Sequence, residues 1–200
     1  MSSHLLSACC DILTLRSYNT PGSEDTNNET GKRYMSQENN STERDKMADR
    51  AEQLFAEGFH CSQAVLCACG ELFRDEPPSP EVVAAMAPFA GGMGSTGRVC
   101  GALSGALATI GFTLGKTAPK QENHQQMCSL SYAMIKRFHE ITAPHGSINC
   151  EDIAQVDWKD KEAVHIFRTQ PGSTRKNCIR VVRETSNALY DLITEKLQQS

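Results

Sequence analysis

The chain has 200 residues, 39% hydrophobic and 22% charged, with a formal net charge of −4. That length supports one domain with a real core, in the composition range of a globular protein. No basic excess provides the footprint of a nucleic-acid or anionic-membrane binder, and no apolar run reaches the ~18 residues of a transmembrane helix.

Nine cysteines stand out: Cys9, Cys10, Cys61, Cys67, Cys69, Cys100, Cys128, Cys150 and Cys178. Secreted disulfide scaffolds are usually shorter, loop-rich and even in cysteine count. A reducing compartment, the cytoplasm, fits better, with thiols kept for ligation or redox work. "MSSHLLSACCDIL" lacks the basic start of a secretory signal.

Taken in chain order, residues 17–42 are polar and rich in Asn, Ser, Thr and Glu. They bury too little apolar surface to offset ordering, so residues 1–42 are expected to form a disordered extension before a helical domain over 43–200. "NSTE" offers Asn40 as an N-cap with Glu43 three residues on. Met47, Ala51, Leu54 and Phe55 then share a helical face, and Gly58 is a stop. A second helix is expected over 61–73, with Cys61, Ala64, Val65, Ala68 and Leu72 on one stripe. "DEPPSP" is a loop, and "PEVVAAMAPF" a short helix between Pro80 and Pro88.

Next comes "GGMGSTGRVC", then helix over 99–114 with small residues at Gly101, Ala102, Ser104, Gly105, Ala106 and Ala108. "GMGSTG" spells G-x-G-x-x-G, but no strand precedes it and no lysine follows, so a phosphate loop is not supported. A long helix follows over about 122–141. "APHGSINCEDIAQVDW" reads as loop with one helical turn near Glu151, and the last helix covers about 174–197. No segment alternates as a strand. The expected fold is all-α, a bundle of about five helices with a Gly-rich loop before a central small-residue helix.

Four cysteines fall at or near helix starts: Cys61, Cys100, Cys150 and Cys178. Free amide N–H groups and the helix dipole favour a thiolate there. Cys100, after the glycine loop and two residues past Arg98, is expected to have a lowered pKa, to react faster than Cys67, Cys69 or Cys128, and to be the leading nucleophile. Cys67, Cys69 and Cys128 lie within helices and are expected to fill the core. Cys9 and Cys10 are assigned nothing. His60 and His145, near Cys61 and Cys150, are candidates for a base or ligand. No C-x-x-C pair is present, so zinc-ribbon and thioredoxin signatures are absent.

"LFAEGFHCSQAVL", "FAGGMGSTGRVCGALSGAL", "GSINC" and "NCIRVV" resemble the C_GCAxxG_C_C family of redox-active proteins. The likeness covers about residues 45–197 and sets the family's four cysteines on Cys61, Cys100, Cys150 and Cys178. A similar domain accompanies an iron–sulfur centre in split-Soret cytochromes, so the resemblance implies a [2Fe–2S] cluster on these four, for electron transfer. A dithiol–disulfide cycle with Cys100 and Cys61 as catalytic residues is the companion reading. Zinc on the same cysteines, in a structural or delivery protein, is the alternative. The expected partner is a redox protein, with no nucleic acid and no membrane insertion; a homodimer stays open. One shared site requires the four sulfurs to lie around a common centre.

Overall fold

In a computed structural model the described residues are 37–74, 77–122 and 124–197, with side chains from residue 43 to 196. The chain divides into a unit over Met1–Gln37 and a unit over Glu38–Ser200, and everything below concerns the second. Of the expected disordered extension over residues 1–42, residues 1–36, with Cys9 and Cys10, lie outside the described residues, and residues 37–42 belong to a helix.

Five long helices build the bundle: α1 (Gln37–Ala56), α2 (Cys61–Phe73), α5 (Gly101–Leu114), α6 (Met127–Thr142) and α9 (Arg175–Leu197). Short helices α3 (Pro80–Ala85), α4 (Ala90–Met93), α7 (Cys150–Ala154) and α8 (Lys161–Thr169) connect them. The only pairing of extended backbone among the described residues is one antiparallel bridge between Val99 and Asn149. The all-α expectation holds.

Two expectations need correction. Helix α1 already runs at Gln37, so Asn40 lies inside it and does not cap it. The helix after Pro80 stops at Ala85, and a 3-10 turn over Ala87–Phe89 carries Pro88. Helix α8 lies in a stretch for which no element was expected. Its signal was present: Asp160 accepts hydrogen bonds from the backbone N–H groups of Glu162 and Ala163 at 2.9 and 3.1 Å, an N-cap ahead of "KEAV".

Helix α5 lies at the centre, packed on α2, α6 and α9. Its Ala102, Ala106 and Ile110 are fully buried. The small residues explain the closeness to α2. A side chain on Gly105 would put its Cβ 2.5 Å from the Ser62 carbonyl oxygen, so only glycine lets the two backbones meet. Leu66, Leu130, Phe138, Leu189, Tyr190 and Ile193 complete the core. Each such side chain contributes about 1.5–3 kcal/mol when fully buried. Outside the core, Arg183 clamps α9 to α1 through Asp49 and Glu52.

Candidate redox site

The helix-start pattern is observed. Cys61 is the first residue of α2, Cys100 the N-cap of α5, Cys150 the first residue of α7, and Cys178 lies in the first turn of α9. Local chemistry sets each start. Gln63 Oε1 accepts from the His60 N–H at 3.1 Å, closing the entry to α2. Gly92 and Gly97 turn the loop before α5 with φ of +72° and +78°, and a Cβ on Gly92 would strike the Arg98 backbone at 2.5 Å. The starts of α5 and α7 are tied together: Cys100 N–H donates to the Ile148 carbonyl at 3.0 Å and Cys150 N–H to the Arg98 carbonyl at 2.7 Å. Thr174 and Asn177 donate to the carbonyls of Ala154 and Ile153 at 2.5 and 3.1 Å, seating the start of α9 on α7.

These ties bring the four thiols into one neighbourhood. The Cys100 S–H donates to the Cys61 sulfur. Cys61 acts electrostatically on Cys100, Cys150 and Cys178, and Cys150 acts on Cys100 and Cys178. Cys100 and Cys150 are 4% exposed; Cys61 and Cys178 are half-buried. A Cβ on Gly101 would fall 2.7 Å from the Cys61 sulfur. The glycine after Cys100 therefore makes room for the thiol of α2.

The expected lowering of the Cys100 pKa is not found. The Cys61 pKa is lowered, first by the Cys100 hydrogen bond and then by backbone N–H groups of Ser62, Cys61 and Gly101, against the opposing effect of burial. Cys100 is raised well above its ordinary value because its proton is held by Cys61, because it is buried, and because Cys61 and Cys150 are charged neighbours. The first amide of α5, on Gly101, serves Cys61, while that of Ala102 serves Cys100. Arg98 is exposed and stands 3.9 Å from Glu151. Burial pushes Cys150 up to about 12, with the charge of Cys61 adding to it. Burial likewise raises Cys178.

The other candidates separate from the site. Cys67 and Cys69 are core residues, Cys69 being pushed to about 12 by burial. Cys128 is half-buried on α6. His60 is exposed. The His145 Nε2 lies 3.0 Å from Arg180 Nη2, and burial and then the Arg180 charge lower its pKa. Trp158 was not singled out in the sequence, yet it packs on the cluster of Cys150 and works against the larger effect of burial on that thiol's pKa. A lone tryptophan in a loop gives no sign of which sulfur it will meet.

Four cysteines are a soft donor set suited to iron or zinc. Among the described residues no three His, Cys, Asp or Glu side chains are arranged around one ion. A [2Fe–2S] cluster takes four thiolates; the residues fit it in kind and number, while the gathering around a common centre that one shared site requires is not seen among the described residues. The amides of Ser62, Gly101 and Ala102 supply N–H donors to the sulfurs.

Comparison with known proteins gives one match. The family model described as "Putative redox-active protein (C_GCAxxG_C_C)" matches residues 59–192, a span that holds all four helix-start cysteines. No curated protein and no solved structure matches the chain.

Proposed function

Since this chain belongs to the C_GCAxxG_C_C family of redox-active proteins, we propose that it is an electron carrier whose centre is a [2Fe–2S] cluster held by Cys61, Cys100, Cys150 and Cys178. The observation that carries this reading is the meeting of four thiols, two buried and two half-buried, from four helix starts, with Cys61 in electrostatic reach of the other three. When bound, such a cluster supplies one-electron transfer. The protein's residues perform the rest. Burial of Cys100 and Cys150 excludes water, and the backbone N–H groups at Ser62, Gly101 and Ala102 stabilise negative sulfur. Four thiolates in an apolar setting repel one another without a cation, so ligation releases protons and favours the metal-bound state. Electron transfer also tolerates this burial, whereas thiol exchange requires direct access to a sulfur.

Anaerobic purification with iron and sulfide analysis and a visible spectrum tests the proposal. The expected result is a brown protein with two irons per chain, lost in Cys61→Ser and retained in Cys128→Ser. Anaerobic protein that is colourless, iron-free and refractory to reconstitution would sink it.

A second reading rests on the Cys100–Cys61 hydrogen bond. In it the Cys61 thiolate attacks a partner's disulfide, forming a mixed disulfide and expelling one thiolate, which takes a proton. Cys100 then gives up its proton and attacks the Cys61 sulfur. A Cys61–Cys100 disulfide forms and the second partner thiol leaves. Two electrons and two protons pass to the partner. Peptide mapping after diamide treatment should find that bond; both residues persisting as thiols would remove this reading.

A further inference from the structure

Trp158, the single tryptophan of the chain, occupies a place that the redox reading does not use. It packs on the small apolar cluster of Cys150, Ala154, Val156 and Phe167. Its ring meets Phe167 edge to face, with centroids 5.3 Å apart at 78°. Beyond it lie two clefts. One, of about 540 Å³, is bounded by Ser95, Gly97, Glu151 and Asp157, with Trp158 as part of its wall. The other, of about 340 Å³, is bounded by Lys161, His165 and Arg168, again with Trp158. The indole thus borders the Cys150 cluster and lines both clefts. Its Nε1 is buried and has no hydrogen-bond partner, although a buried indole N–H usually finds one. The ring also lies close to the glycine turn before α5: a Cβ on Gly91, held at φ +61°, would come within 3.6 Å of Trp158 Cδ2.

We propose that Trp158 is a positioning residue of the cysteine site, sealing Cys150 from the two clefts. This rests on the reading that Cys150 belongs to the redox centre. Electrons or a reagent then meet the site at this wall, because the ring is what stands between Cys150 and solvent.

The test uses the full-length chain, reduced and with chelator present. Alkylation of Cys150 by iodoacetamide is followed by peptide mass spectrometry, with Cys69 as internal reference. Trp158→Ala should raise the Cys150 rate on the order of tenfold, since reactivity follows exposure. Trp158→Phe keeps the ring on Phe167 and should stay within about threefold of wild type by the same argument. An unchanged rate in W158A, or W158F as fast as W158A, would overturn the sealing role.

A second measurement does not depend on the tryptophan variants folding. The lone indole should be quenched by the adjacent sulfur, so Cys150→Ser should brighten emission roughly 1.5- to 2-fold, an effect of direct sulfur–ring contact. Emission identical in C150S and wild type would overturn the contact. These readouts are independent of iron. If Cys150 opens in W158A while anaerobic protein holds no iron, the seal stands and the cluster reading falls.

Discussion

Helix α2 carries cysteines in two settings, and they behave oppositely. Cys61, at the first position, has its pKa lowered by a thiol donor and by the amides of Ser62, Cys61 and Gly101. Cys69, two turns on, is pushed to about 12 by burial, with only Ser186 as donor. Both sulfurs are desolvated. What separates them is the supply of free N–H groups, which exists at a helix start and is consumed by intrahelical bonding further along. A helix start alone is nevertheless insufficient. Cys150 also opens a helix and is still pushed to about 12, because no backbone amide reaches its sulfur strongly enough to offset burial.

Breaking the site end of this comparison should produce the largest effect. Cys61→Ser removes the sulfur that the other three thiols sense, and serine is a poor soft-metal ligand. Iron content, or in the second reading disulfide formation, should fall to background while the helical circular dichroism persists. Cys69→Ser should leave iron content near wild type and lower the melting temperature. Equal losses in both variants would erase the distinction between the two settings.

Next in size is Gly105→Ala. Its Cβ would sit 2.5 Å from the Ser62 carbonyl oxygen, and backbone cannot move aside cheaply. Overpacking of this kind costs about 1–3 kcal/mol. Gly111→Ala, where no atom lies within 4 Å of the added Cβ, should stabilise or leave the protein unchanged. Urea midpoints of the two variants check this; equal midpoints would mean that α2 and α5 are not in close backbone contact.

A pH titration of the metal-free, reduced protein sharpens the electrostatic contrast. Cys69 and Cys150 have folded pKa values raised to about 12 from 9.0. The neutral thiol is favoured in the fold, so the associated stability is whole below pH 9 and declines as pH rises from 9 toward 12. Each group contributes about 1.4 kcal/mol per pH unit in that window. The Cys61 contribution has the opposite sign, being present above pH 9 and lost as pH falls through its lowered pKa. Stability that holds flat from pH 9 to 11 would contradict the burial of these thiols.

The smallest expected effect is kinetic. Near neutral pH, Cys61 in the metal-free protein should alkylate faster than Cys100, by virtue of its greater thiolate fraction. Faster labelling of Cys100 would contradict a lowered Cys61 pKa.

Much of the architecture was open to reading. Glycine and proline punctuation and apolar periodicity marked α2, α5 and α9 and put Cys61, Cys100, Cys150 and Cys178 at helix starts, because those signals are local. Met47, Ala51, Leu54 and Phe55 shared a face in the sequence and are buried together. Helix α8 was equally legible through the Asp160 cap.

What the sequence determined by itself is thus the all-α class, the helix-start cysteines and, through the C-G-A-x-x-G run, membership of a redox family. These depend on backbone preference and local capping, which act over a few residues. Tertiary structure alone decided which sulfur donates to which. The amide of Gly101 follows Cys100 in the chain but serves Cys61, because α2 and α5 meet at glycine. It also decided that Arg98 faces Glu151 and that Trp158 covers Cys150. A donor's partner is set by which groups are desolvated side by side, and that depends on how helices dock, a distance that no local spacing encodes.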